Sequence, residues 1–171
     1  MTRLIAPLIL LAAASLALAL TSGGGRTSGD AESAGPTVPD VSVARLDREG
    51  HFALSQLAAA KTPTLLWFWA PWCQVCNHEA PAIEKLAADA HGQLAVVAIG
   101  GRDHAANGPT FVARHRLRTP TVLFDELMAA WNAYSIPGQP AAVLLDRSGR
   151  ERGRWLGAFD TAAVLAAARA L

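Results

Sequence analysis

The stretch Thr64-Leu65-Leu66-Trp67-Phe68-Trp69-Ala70-Pro71-Trp72-Cys73-Gln74-Val75-Cys76-Asn77-His78-Glu79-Ala80-Pro81 decides the fold. Its first six residues are almost wholly apolar and of strand length, the pattern of a strand buried on both faces. Strand alternation sends Trp67 and Trp69 to one face of a sheet and Phe68 to the other. Ala70-Pro71-Trp72 ends the run. A helix is expected from near Cys73 to about Ala90, with Ile83, Leu86 and Ala87 as its apolar stripe and Pro81 as a kink within it.

That placement has a chemical consequence. Cys73 opens the helix, where free N–H groups and the macrodipole favour an anion. Its thiol is expected to ionise below the free-cysteine value of about 8.5, within a range of roughly 3.5–7.5. A drop of about three units corresponds to about 4 kcal/mol in favour of the thiolate. Cys76 lies about one turn further along, on the same face, where it is expected to be more buried. Cys73 then reads as the nucleophile and Cys76 as the thiol that resolves a mixed disulfide.

These are the chain's two cysteines, so neither a four-cysteine zinc site nor a multi-bridge scaffold is open to it. Two plainer readings compete. A structural staple across two residues closes a very small loop and constrains the unfolded chain weakly. A metal site would need histidines, and His51, His78, His91, His104 and His115 show no ligand spacing.

Composition narrows the class further. The chain has 171 residues, 51% hydrophobic and 17% charged, with a formal net charge of +1. This is a globular composition for one domain, and intrinsic disorder is excluded. So little net charge gives no field to gather nucleic acid. The basic cluster Arg114-His115-Arg116-Leu117-Arg118 reads as a solvated helix end.

The N-terminus reads as an address. Arg3 precedes an uncharged run from Leu4 to Leu20, followed by small polar residues. Residues 1–20 fit a secretory signal peptide, with Ala17-Leu18-Ala19 as a cleavage pattern, or alternatively a retained membrane anchor interrupted by Pro7. Either places the domain in an extracytoplasmic setting, secreted or anchored to the outer face of the cytoplasmic membrane, where disulfides persist. Residues 21–39, rich in Gly, Ser, Thr and Pro, read as a flexible linker. The folded domain is expected over 40–171.

Within it, strands are expected at Val41–Leu46, His51–Leu54, Thr64–Trp69, Leu94–Ile99, Thr121–Phe124, Ala141–Leu145 and Glu151–Trp155. Helices are expected at Ser55–Ala60 (capped by Ser55), Pro109–His115 and Leu127–Tyr134, and from an Asp160 or Thr161 cap to Ala170. Arg147, Arg150, Arg152 and Arg154 read as charges that block pairing at a sheet edge. The order argues for an α/β domain with a central sheet covered on both faces.

The stretch from Trp67 to Pro81 resembles the active site of the thioredoxin superfamily. It is most similar to the TlpA/ResA/DsbE-like extracytoplasmic proteins, and to the secreted DsbE-like branch of high-GC Gram-positive bacteria. Two further segments agree. Tyr134 to Asp146 resembles the tract that carries the family's cis-proline, and Asp146 to Gly149 its strand–turn–strand ending. The resemblance covers about Asp40 to Leu171. It implies a thioredoxin-like fold, with a mixed β-sheet and helices on both faces.

The resemblance also assigns roles. Pro140 is implied to follow a cis bond, with the Gln139 backbone free to pair with an extended substrate. Without the resemblance, Pro140 reads as the start of a strand. Glu79 matches a glutamate that moves a proton as Cys76 is deprotonated, against the plainer reading of a solvated carboxylate. Trp67 stands where cytoplasmic thioredoxins carry a buried Asp, a departure that leaves Glu79 to act alone. Trp72 offers an apolar docking surface, or is simply a half-buried residue at a helix start.

The implied activity is thiol–disulfide exchange without a cofactor or metal, oxidising the cysteines of exported proteins. A secreted or membrane partner would recycle the pair. A dedicated reductase, for instance of apocytochrome c cysteines, and a binding module without turnover remain the alternatives. A peroxidase would need a peroxide pocket that this motif does not suggest.

Overall fold

The computed structural model describes residues 38–90 and 92–171. The signal peptide or anchor at 1–20 and the linker up to residue 37 lie outside the described residues. The linker's last two residues, Val38 and Pro39, are already part of the fold: Val38 packs against buried apolar side chains, and the Val41 amide donates to the Pro39 carbonyl at 3.0 Å.

Seven strands form one sheet: β1 (Ser42–Arg45), β2 (His51–Ala53), β3 (Thr64–Trp69), β4 (Ala95–Gly100), β5 (Thr121–Phe124), β6 (Ala141–Leu145) and β7 (Glu151–Leu156). Their order is β2-β1-β5-β4-β3-β6-β7. β3, β4 and β5 run parallel, and the remaining neighbours pair antiparallel. The helices are α1 (Gln56–Ala59), α2 (Gln74–Asp89), α3 (Gly108–His115), α4 (Ala129–Ala133) and α5 (Thr161–Arg169).

The all-apolar run of β3 is explained by its place in the middle of the sheet, with every residue buried. Trp67 and Trp69 enter one core with Ile83 and Leu86 of α2, Phe111 of α3 and Val164 of α5. Phe68 enters the other with Leu57 of α1 and Trp131 of α4. The alternation expected of this strand is the partition observed. Trp69 stacks on Phe111 at 4.1 Å, and Phe68 meets Trp131 edge-on at 5.5 Å. Such aromatic pairs add about 0.5–1.5 kcal/mol each beyond the area they bury.

Two local expectations are corrected. Ser55 makes no capping bond to α1; its hydroxyl donates to Asp40 Oδ1 at 3.3 Å instead. The helix expected from Leu127 begins at Ala129. Met128 is left-handed (φ 58°), and the Asp125 carboxylate takes the amides of Ala129, Ala130 and Trp131, so the first turn is organised from four residues upstream. Pro81 lies within α2, as expected, and the helix runs from Gln74 to Asp89. Asp160 caps α5 by accepting from the Ala162 amide at 2.8 Å.

Asp146 organises the turn between β6 and β7. Its carboxylate accepts from the Ser148 amide and hydroxyl, the Arg150 amide and Arg152 Nε, at 2.7–3.0 Å. Burial alone would raise its pKa; the bonds from Ser148, Arg150 and Arg152 outweigh that and hold the carboxyl well below the usual carboxylate range. A depressed folded pKa stabilises the fold above the unfolded value and loses that stability as pH falls through the folded one. Asp146→Ala is therefore expected to cost about 2 kcal/mol at neutral pH. Denaturant titrations should show the gap between variant and wild type closing as pH falls below 3.8.

Candidate active site

β3 delivers Ala70-Pro71-Trp72 to the start of α2, and Cys73 is the residue that caps that helix. Its backbone is extended (φ −72°, ψ 114°), and its Sγ accepts the amide of Cys76 at 3.1 Å. The sulfur thus occupies the place that a serine or aspartate oxygen takes in an ordinary cap. An N–H that the helix cannot satisfy internally is aimed at it.

Cys73 and Cys76 form a disulfide, with Cα atoms 5.2 Å apart. Cys73 is 6% exposed and Cys76 fully buried, so the sulfur an incoming group can reach is that of Cys73.

The antiparallel register of β3 and β6 pairs Phe68 with Ala141. That register brings Gln139 and Pro140 to the sheet end from which β3 leads into Cys73. The Gln139–Pro140 peptide is cis. Pro140 is buried, and its carbonyl accepts the Gly157 amide at 2.8 Å. Gln139 is half-buried, and its enclosed Oε1 has no partner among the described residues.

Trp72 is 58% exposed and Val75 44%, so apolar surface flanks the disulfide. The Trp72 indole is nevertheless oriented, since its Nε1–H donates to the Arg102 carbonyl at 3.0 Å. Arg102 Nη2 in turn donates to the Pro137 carbonyl at 2.7 Å, and the guanidinium lies 5.4 Å from the centre of the Trp131 ring. Arg102 therefore straps the loop after β4 to both the Trp72 loop and the Pro137–Pro140 loop. Nothing in the sequence around Gly101-Arg102-Asp103 signals this; it arises only when three loops meet.

Glu79 stands one turn beyond Cys76 on α2 and is half-buried. Trp67 Nε1 donates to Glu79 Oε2 and the Phe159 amide to Glu79 Oε1, both at 3.2 Å. The Trp67 indole and the Phe159 amide thus hold the Glu79 carboxylate in place. Burial raises the Glu79 pKa from 4.5, and the Phe159 amide, the Trp67 indole and the neighbouring His78 offset the rise only in part.

Residues 34–152 match the AhpC/TSA family, a span that takes in both cysteines and the Gln139–Pro140 tract. The protein belongs to the AhpC/TSA family. Among its relatives, the soluble secreted antigen MPT53 of Mycobacterium tuberculosis is 38% identical over 87 residues, 51% of this chain and 49% of that one. The chain thus spans about half the length of the curated relatives it matches. Solved structures give wider coverage. One is a secreted M. tuberculosis disulfide oxidoreductase homologous to E. coli DsbE, at 28% identity and a TM-score of 0.67, covering 77% of this chain and 96% of that one. Another is MTB dsbF in mixed oxidised and reduced forms, at 30% identity and a TM-score of 0.69, covering 78% and 98%. The fold of this AhpC/TSA member is thioredoxin-like, and the resemblance to DsbE-like proteins extends from the motif to the whole domain.

The raised Glu79 pKa has a sign that can be checked. The folded state holds its proton to higher pH than the unfolded chain, so its contribution to stability is complete below 4.5 and is lost as pH rises through the folded value. Glu79→Gln is expected to gain stability on wild type between mildly acidic and neutral pH. Urea unfolding across that range would show the two curves diverging as pH rises.

Proposed function

We propose that this protein is an extracytoplasmic thiol–disulfide oxidoreductase that oxidises cysteine pairs in exported proteins. The observation that carries the reading is the disulfide at the start of α2, with the Cys76 amide aimed at Cys73 Sγ and apolar Trp72 and Val75 beside it. The M. tuberculosis structural relative described as a secreted disulfide oxidoreductase supports the same activity and location.

The exchange proceeds in two displacements. A substrate thiolate attacks Cys73 Sγ, the Cys73–Cys76 bond breaks, and Cys76 leaves as a thiolate that takes up a proton. A second substrate thiolate then attacks the substrate sulfur of the mixed disulfide and expels Cys73 as a thiolate. The substrate loses two electrons and the pair gains them. A membrane-bound or secreted redox partner must reoxidise the pair after each cycle.

The residues divide the labour. Stabilising the departing Cys73 thiolate by the helix amides makes the reduced pair more favourable and so makes the disulfide a stronger oxidant. Glu79 supplies or accepts the proton at Cys76, and burial, by raising its pKa, favours the protonated form that can give that proton up. Trp72 and Val75 hold apolar side chains near the substrate cysteine, and the Gln139 backbone pairs with its extended chain beside Pro140.

The direction of exchange is read from a potential. Equilibration with glutathione is expected to place the Cys73–Cys76 couple near about −120 mV; a value near about −270 mV would make the protein a reductase. Cys76→Ser is expected to accumulate mixed disulfides at Cys73 that dissolve on reduction. Association that persists without a covalent link would instead mark a binding module. Glu79→Gln should slow turnover of a dithiol peptide by about 10²-fold, the lower end of a general acid–base contribution. Stopped-flow kinetics would separate that loss from any change in potential.

A further inference from the structure

The sequence leaves Asn77 unassigned and reads His115 as part of a solvated helix end; the structure joins them behind Cys73. Asn77 Nδ2 donates to the Pro71 carbonyl at 3.1 Å and to the Cys73 carbonyl at 2.8 Å. Carbonyl oxygens only accept, so the amide must face them with its NH2 group, and both of its hydrogens are used. Oδ1 then points away, to His115 Nε2 at 2.8 Å, with Arg114 Nη1 a longer second donor at 3.5 Å. An amide oxygen cannot donate, so His115 must carry its hydrogen on Nε2.

Other contacts hold the histidine in place. Its ring packs on Phe111 at 4.5 Å between centroids, and Phe111 stacks on Trp69 of β3. Burial, helped by the adjacent Arg114, lowers its pKa and keeps the ring neutral near pH 7. A neutral ring has one N–H, and here that N–H is committed to Asn77.

We propose that Asn77, oriented by His115, is a positioning residue that holds the Pro71–Cys73 segment in register with the amides of α2 once the disulfide has opened. The inference rests on the oxidoreductase reading above. In the oxidised protein a covalent bond ties Cys73 to the helix. After reduction that tie is gone, and the Cys76 N–H must still find Sγ. The segment is then held from behind by the two Asn77 side-chain bonds, together with the Asn77 backbone amide on the Cys73 carbonyl at 3.0 Å and the Cys73 amide on the Ala70 carbonyl at 3.1 Å. Losing the clamp therefore costs the reduced form more than the oxidised one, raises the pKa of Cys73 and makes the pair a weaker oxidant.

The test compares wild type, Asn77→Ala, His115→Ala and His115→Gln in glutathione buffers, with circular dichroism to confirm folding. Asn77→Ala is expected to shift the equilibrium with glutathione about ten-fold toward the disulfide, a change of about 30 mV. His115→Ala should move it about three-fold in the same direction. His115→Gln, whose side-chain amide can donate to Asn77 Oδ1 from a similar reach, should return it to within about two-fold of wild type. Ultraviolet absorbance of the Cys73 thiolate should show its pKa rising in step. A merely structural role would lower melting temperature and leave the potential and the rescue unmoved. If Asn77→Ala fails to fold, the two His115 variants decide alone. The proposal is overturned if folded variants keep the wild-type potential, or if His115→Gln is as impaired as His115→Ala. Failure of wild type itself to exchange with glutathione would sink the oxidoreductase reading, and this inference with it.

Discussion

One contact organises the rest of the molecule: the amide of Cys76 meeting the sulfur of Cys73 where α2 begins. A helix start exposes donors it cannot use, and a thiol placed there inherits them. For that to happen, a strand must end beside the sheet and a helix must rise from it without a long connection. β3 meets this requirement from the middle of the sheet, with both faces buried and β4 and β6 on either side. The aromatic packing of Trp67, Phe68 and Trp69 therefore bears on chemistry as well as stability, because it fixes the platform from which Cys73 projects.

The site is a meeting of loops around that platform. Trp72 is held by the Arg102 carbonyl, Arg102 is held by Pro137, and the strand register brings Pro140 to the same end of the sheet. Hydrogen bonds to backbone carbonyls do most of this tying. They depend on loop geometry more than on the side chain facing them.

How much could be read in advance follows from the range of the forces involved. β3, β5 and β6 were legible residue by residue, because continuous apolar runs bounded by Pro, Thr or Asp have few other readings. The cysteines were legible from their place between a strand and a helix. Gln139–Pro140 was legible only by resemblance, since a proline ahead of an apolar run reads equally well as a plain strand start. The beginning of α4 was misjudged because its cap, Asp125, sits outside the usual spacing. Arg102, Asn77 and His115 were missed for a common reason. The contacts that join Arg102 to Trp72 and Pro137, and Asn77 to His115, span 30 or more residues, and no local pattern records them.

The margins of the sheet carry a last consequence. One border is β2, only three residues long; the other is β7, whose outward residues include Arg152 and Arg154. Arg152 pairs with Asp146 and Arg154 with Glu151, so charge lines that border. Short or charged borders do not recruit foreign strands. On the function proposed above, the polypeptides that reach this site would still have strands of their own unpaired and adhesive. Blunted margins would leave exchange at Cys73 as the point of contact in that proposal and keep the sheet from becoming the seed on which such a chain collects.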